Sequence, residues 1–181
     1  MMDPTRITIP PELFAPAESS SFEGGYGLSM LKAGPDLYEF ASPLTWSLTI
    51  SNTGDALLLA GTVEGVAKAT CARCLETFEP SVSGEIEGYY LLSEESSAPE
   101  AMDADEFDRL PPDKVIDLAP LLDAALLLEL PLVPLCDEDC KGLCPTCGQN
   151  RNTDPCPCVP APELPDTAPN PFKALEGFPF D

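Results

Sequence analysis

"LCDEDCKGLCPTCGQNRNTDPCPC", Leu135–Cys158, places six cysteines within 24 residues. One tetrahedral metal ion takes four ligands, so six sulfurs leave two over. Upstream, "CARC" supplies Cys71 and Cys74. Eight cysteines suit two ions of four ligands each. The local assignment puts Cys144, Cys147, Cys156 and Cys158 in one site inside the ribbon. The remainder, Cys136 and Cys140 with Cys71 and Cys74, then meet in space as a second site, tying the C-terminal segment to the end of a strand. "CPTCG" suits such a grip, because Pro145 fixes one backbone angle and Gly148 allows the left-handed turn that directs N–H groups at sulfur. A single site built on Cys140, Cys144, Cys147 and one later cysteine is the alternative. An iron–sulfur cluster and a CxxC redox pair are competing uses of the same residues. A redox pair normally opens a helix, whereas "CARCLETF" sits in strand-like sequence. Zinc, as two ions or as one, is the cofactor this pattern favours.

Outward from the cysteines, the chain of 181 residues reads as one α+β domain with a small metal-bound appendage. "LTWSLTISN" alternates, with Leu44, Trp46, Leu48 and Ile50 on one face, which is the period of a half-buried strand. "ALLLAGTVEGVAKAT" resumes as a strand weakened at Gly61 and Gly65, where bulges are expected. "EPSVSGEIEGYYLL" alternates again, with Val82, Ile86 and Tyr90 as core candidates. These strands predict an antiparallel sheet or partial β-barrel. "VIDLAPLLDAALLLELPLVPL" predicts one packed helix, N-capped by Asp117, carrying Leu121, Leu122, Ala125, Leu128 and Glu129 at helical spacing and stopped at Pro131. The divisions are then an extended or loosely ordered lead-in (1–20), an α+β body (21–134) with a mobile acidic loop (93–114), a zinc-ribbon-like segment (135–158) and a proline-rich tail (159–181). In the tail, Asn170, Pro171 and Phe172 are candidates for docking onto the body or onto a partner.

Charge and composition exclude several functions. The formal net charge is −22, with 31 acidic residues against 9 basic ones that form no run. Nucleic-acid affinity comes largely from cationic patches that neutralise phosphates, so the charge argues against direct RNA binding and for basic protein partners. The chain has no histidine, which removes the commonest general base and the Ser/His and Cys/His nucleophile pairs. Phosphate-cradling and dinucleotide fingerprints are absent from the sequence. A non-enzymatic protein is the reading. The N-terminal residues lack the features of a secretory signal, and the apolar stretch 117–135 is broken by three prolines and two acids, too interrupted for a membrane span. A cytoplasmic, reducing setting follows, in which clustered cysteines serve metal rather than disulfides.

Three segments in order, "CARCLETFEPSV", "IDLAPLLDAALLLELPLVPLC" and "CDEDCKGLCPTCGQNRN", resemble the YceD family of large ribosomal RNA subunit accumulation proteins. "PNPFKALEGF" is similar to that family's C-terminal end. The resemblance implies a factor for the synthesis, processing or stability of large-subunit ribosomal RNA, acting without chemistry of its own. Its implied partners are a basic ribosomal protein, with L32 suggested by neighbouring genes in many bacteria, or the precursor of the large subunit. An RNA-binding ribbon using Lys141, Gln149, Asn150 and Arg151 is the alternative.

Overall fold

The computed structural model describes residues 5–99, 102–104, 106–154 and 156–158. In chain order its elements are β1 (Arg6–Thr8), β2 (Ser19–Tyr26), β3 (Met30–Ala33), β4 (Asp36–Glu39), β5 (Leu44–Asn52), β6 (Ala56–Val66), β7 (Ala69–Thr70), β8 (Thr77–Phe78), β9 (Ser81–Leu91), β10 (Asp108–Arg109), β11 (Val115–Asp117) and α1 (Ala119–Glu129). The class is α+β. Five strands form an open sheet in the order β10-β9-β6-β5-β2. All neighbours are antiparallel except β10, which lies parallel to β9 over two residues. Small antiparallel ribbons, β1–β11, β3–β4 and β7–β8, surround it.

The alternation read from the sequence is the alternation of burial. Leu44, Trp46, Leu48 and Ile50 face the core, while Thr45, Ser47 and Thr49 are exposed. Leu57, Leu59 and Val63 of β6 and Val82, Ile86 and Tyr90 of β9 fall on the same inner face. That face is covered by α1, by residues of the three ribbons and by Leu13 from a 3-10 turn at Pro11–Phe14. The outer face is uncovered among the described residues.

The path of α1 is set by glycines. A Cβ at Gly84 would lie 2.6 Å from the backbone of Ala125, and one at Gly88 would lie 3.3 Å from Leu121. Absent side chains at two inner positions of β9 therefore let the helix seat directly on the strand. As the helix advances from Leu121 to Ala125, its β9 neighbour steps back from Gly88 to Gly84. The helix thus runs toward the start of β9, and the chain leaving it arrives where β9 begins. Two hydrogen bonds fix this placement: Tyr26 Oη donates to Asp123 at 2.7 Å, and Tyr38 Oη donates to the Pro131 carbonyl at 3.1 Å.

Several sequence expectations need correction. Gly61 and Gly65 are not bulges, since β6 pairs with β9 without interruption from Ala56↔Leu91 to Val66↔Ser81. They mark close approach instead: a Cβ would meet the Ser47 carbonyl at Gly61 and the Leu44 side chain at Gly65. In α1 the buried residues are Leu122, Ala125 and Leu126, and Leu128 is 83% exposed. At 3.6 residues per turn Leu126 sits over Leu122, while Leu128 falls on the far side. Asp117 takes its capping bond one step early, accepting the N–H of Ala119 at 3.0 Å, and Leu118 occupies the cap position. The lead-in is built into the body: Ile7 pairs with Ile116, and Leu13 is fully buried. The acidic stretch contributes β10, where the Arg109 guanidinium donates to the Ser93 carbonyl at 2.8 Å. The tail, with Asn170, Pro171 and Phe172, lies outside the described residues.

The helix seat generates a stability prediction. Gly84→Val, which drives a side chain into rigid helix backbone, is expected to cost about 2 kcal/mol or more. Gly27→Ala, where a Cβ meets nothing within 4 Å, is expected to change stability by less than about 0.5 kcal/mol. Urea unfolding followed by the fluorescence of Trp46 measures both.

Candidate metal centres

β6 and β9 are the two arms of one long hairpin, and its far end carries β7, the CxxC turn and β8. Cys71 and Cys74 therefore sit at the hairpin tip, held by the Ala67 N–H on the Pro80 carbonyl. The helix delivers Pro134 to the same place, where its carbonyl accepts the N–H of Ala72 at 2.8 Å. Cys136 follows two residues later. An Asx turn at Asp137, with Asp139 N–H on Oδ1 at 2.8 Å, bends the chain so that Cys140 also turns inward.

The eight sulfurs gather into two groups, Cys71/Cys74/Cys136/Cys140 and Cys144/Cys147/Cys156/Cys158, each with its four sulfur atoms within 4.8 Å of one another. This is the partition that the local spacing suggests. Cys71 Sγ is 3.8 Å from Cys140 Sγ, and Cys74 Sγ is 3.7 Å from Cys136 Sγ. The edge of a tetrahedron of sulfurs about 2.3 Å from a zinc ion is about 3.8 Å. A disulfide would need about 2.05 Å. The donor set and its dimensions fit a tetrahedral thiolate site.

The two CxxC turns are built alike. In the first, Cys71 N–H donates to the Glu76 carbonyl at 2.9 Å and Leu75 N–H to the Cys71 carbonyl at 2.9 Å. In the second, Cys144 N–H donates to Gln149 and Gly148 N–H to Cys144, both at 2.8 Å. The residue after each second cysteine is left-handed, with φ of 61° at Leu75 and 74° at Gly148. Glycine adopts that conformation freely, whereas leucine does so only at a cost. The two turns thus hold the same geometry with different side chains.

Electrostatics set the thiols within each group apart. Burial opposes the Cys71 thiolate, but the backbone N–H groups of Cys136, Cys74 and Arg73 outweigh it and bring that thiol down to about 6. Backbone N–H groups of Cys147 and Thr146 bring Cys144 down to about 6. Each group therefore favours one thiolate, in its CxxC turn, and resists more. Cys136 as a whole is exposed, yet its sulfur lies inside the group, and desolvation together with the thiols of Cys74 and Cys71 pushes it up to about 12. Cys158 is pushed up to about 12 by its bond to Cys147 and then by desolvation. A divalent cation held by either group would make four thiolates tolerable together.

Two residues other than the cysteines bind the arrangement together. The Arg73 guanidinium donates to the carbonyls of Glu138 at 2.9 Å and Cys140 at 3.1 Å, while the Arg73 carbonyl accepts the N–H of Leu143 at 3.1 Å. Gly142, with φ of 65°, passes so close to Arg73 that a Cβ would lie 2.9 Å from its carbonyl oxygen. Asn152 donates from Nδ2 to Cys140 Sγ at 3.2 Å. Neither residue stands out in the sequence. The signal that was available is positional: Arg73 lies inside a CxxC, and Asn150 with Asn152 forms the alternation of an Asx turn.

An α+β body whose sheet hairpin and C-terminal ribbon carry two four-cysteine groups defines a class of candidate metal-binding protein. The chain belongs to the YceD family: the model described as "Large ribosomal RNA subunit accumulation protein YceD" matches residues 59–178. An uncharacterised protein of Mycobacterium tuberculosis is 34% identical over 113 residues, covering 62% of this chain and 53% of the relative. The chloroplastic large ribosomal RNA subunit accumulation protein YCED homolog 1 of Zea mays is 31% identical over 148 residues, covering 66% and 50%. Its Arabidopsis thaliana counterpart is 28% identical over 158 residues, covering 73% and 48%. The chain spans about half the length of these curated relatives. No solved structure matches it.

The geometry predicts that the chain, purified under reducing conditions, takes up two divalent ions. Cys71→Ser with Cys74→Ser is expected to leave one. Because Cys136 and Cys158 hold their protons far above neutrality without metal, uptake at pH 7 is expected to release more protons than ions bound, and acidification to expel the metal. Elemental analysis and a weakly buffered indicator titration check these outcomes.

Proposed function

We propose that this protein supports accumulation of large-subunit ribosomal RNA as a non-enzymatic, zinc-stapled scaffold that contacts a basic ribosomal protein. Family membership supplies the process. The carrying observation for the contact is the outer face of the sheet. Strands β2, β5, β6 and β9 contain no lysine or arginine, and they expose Glu23, Glu64, Glu85 and Glu87 among serine and threonine hydroxyls. The register places Glu23, Ser47, Thr62 and Glu85 in one row across the four strands. Such a surface repels phosphate and attracts lysine- and arginine-rich protein, at rates that fall with salt. Each tetrad takes one zinc ion, closed by four thiolates and so without the open position that catalytic zinc keeps. A reducing compartment such as the cytoplasm suits those thiolates. Among the described residues no helix is long and apolar enough to cross a membrane.

A second reading has one observation in its favour. Lys141 and Arg151 lie on either side of Gly142, with Arg151 N–H on the Gly142 carbonyl at 3.0 Å, and Arg73 adjoins the same glycine. Three of the nine basic residues thus meet at the ribbon, which gives an RNA-binding module a small cationic footing. Against it, Asp137, Glu138 and Asp139 are exposed on the same ribbon, and the Arg73 guanidinium is engaged by backbone carbonyls.

Capture from cell extract by the tagged full chain separates the readings. Recovery of basic ribosomal protein after nuclease treatment, falling at least about tenfold between low and high salt, is the expected result. Glu85→Lys with Glu87→Lys should abolish it, and Lys141→Glu with Arg151→Glu should leave it intact. Recovery of RNA alone, surviving protease treatment of the bound fraction, would overturn the proposal in favour of the ribbon.

A further inference from the structure

Asn152 belongs to neither pair of cysteines that flanks it, yet it joins the two tetrads. It sits between Cys147 and Cys156, on the loop that the second tetrad closes. Its Nδ2 donates to Cys140 Sγ of the first tetrad at 3.2 Å, and its Oδ1 accepts the backbone N–H of Lys141 at 2.8 Å. The second bond fixes the amide's orientation, since a flipped amide would set donor against donor at Lys141. Local bonds hold the loop in shape: Asn152 N–H on Asn150 Oδ1 at 3.0 Å, Thr153 Oγ1 on the Asn150 carbonyl at 3.1 Å, and the Leu143–Asn150 bridge behind them.

We propose that Asn152 couples the two metal centres, so that an ion in the Cys144 tetrad raises the affinity of the Cys71 tetrad. The coupling rests on the zinc reading above. A buried thiolate ligand carries charge that the metal neutralises only in part, and an N–H donor to sulfur stabilises what remains. Cys140 is 5% exposed, so little water competes for that role. The donor stands in place only while its loop does, and the loop is pinned at both ends by ligands of the other ion, Cys147 and Cys156. Asn152 is a positioning residue: it touches a ligand, not the metal. By linkage the effect runs both ways, with occupancy of the Cys71 tetrad strengthening the Cys144 tetrad by the same factor.

The test uses the full chain, titrated with zinc against a chromophoric chelator and with cobalt for the sulfur-to-metal charge-transfer bands. Asn152→Ala is expected to weaken one of two sites by about tenfold or more and to move that site's cobalt band to lower energy. Asn152→Asp keeps the acceptor for Lys141 but loses the donor to sulfur, and it should bind no better than the alanine variant. Cys147→Ser with Cys158→Ser, which leaves Asn152 untouched, should weaken the remaining Cys71 tetrad by a similar factor. Adding Asn152→Ala to that pair should then cost nothing further. Wild-type affinity at both sites in the alanine variant, recovery in the aspartate variant, or independent additive losses would each overturn the coupling while leaving zinc binding intact. A wild-type chain that takes up no ion would overturn both.

Discussion

The structure depends on the meeting of a hairpin tip with the chain that leaves a helix. Cys71 and Cys74 can reach Cys136 and Cys140 only because α1 is seated on β9 closely enough, and in the right direction, to end beside that tip. The seat requires Gly84, whose missing side chain admits the helix backbone, and Gly88, which leaves room for the Leu121 side chain. Sheet register, helix placement and ligand geometry are therefore one constraint. A cross-link closing a loop of this size removes conformational freedom from the unfolded chain equivalent to about 4 kcal/mol. An ion held by the first tetrad would therefore bear on the stability of the whole body, whereas one held by the second, contained within Cys144–Cys158, would bear mainly on its own ribbon.

The two ends of the molecule carry different physics. Among the described residues the sheet's outer face presents carboxylates and hydroxyls beside the exposed Leu58 and Val66, on four strands, β2, β5, β6 and β9, that carry no lysine or arginine. The ribbon is where cations and sulfur concentrate, organised by backbone carbonyls and by amides directed at sulfur. Both present charge on a rigid frame.

Much of this was legible in the sequence, for identifiable reasons. The alternation of Leu44, Trp46, Leu48 and Ile50 survives because a sheet with one covered face enforces period two. The sulfur partition was legible because CxxC turns are local, so only the pairing of the leftovers demanded a three-dimensional answer. What escaped notice was long-range or backbone-borne. Gly61 and Gly65 look like interruptions until neighbouring atoms are seen to fill the space. Leu126, rather than Leu128, faces the core because the helix phase is set by where β9 admits it, and a run of leucines does not reveal that phase. Leu75 adopts a turn that normally calls for glycine, so no residue type announced it. Arg73 and Asn152 act through carbonyls and a sulfur brought together by folding, and their identities alone point to none of this.

The spacing of the first tetrad also orders events during synthesis. Cys74 and Cys136 are 62 positions apart, so at about 5–20 residues per second the early thiols wait several seconds for their partners to be translated. Throughout that interval the hairpin tip is a two-sulfur half-site, open to oxidation or to a transient ion. The four sulfurs can meet only after the helix has been made, which makes their meeting a late step in building the body rather than the seed from which that body grows.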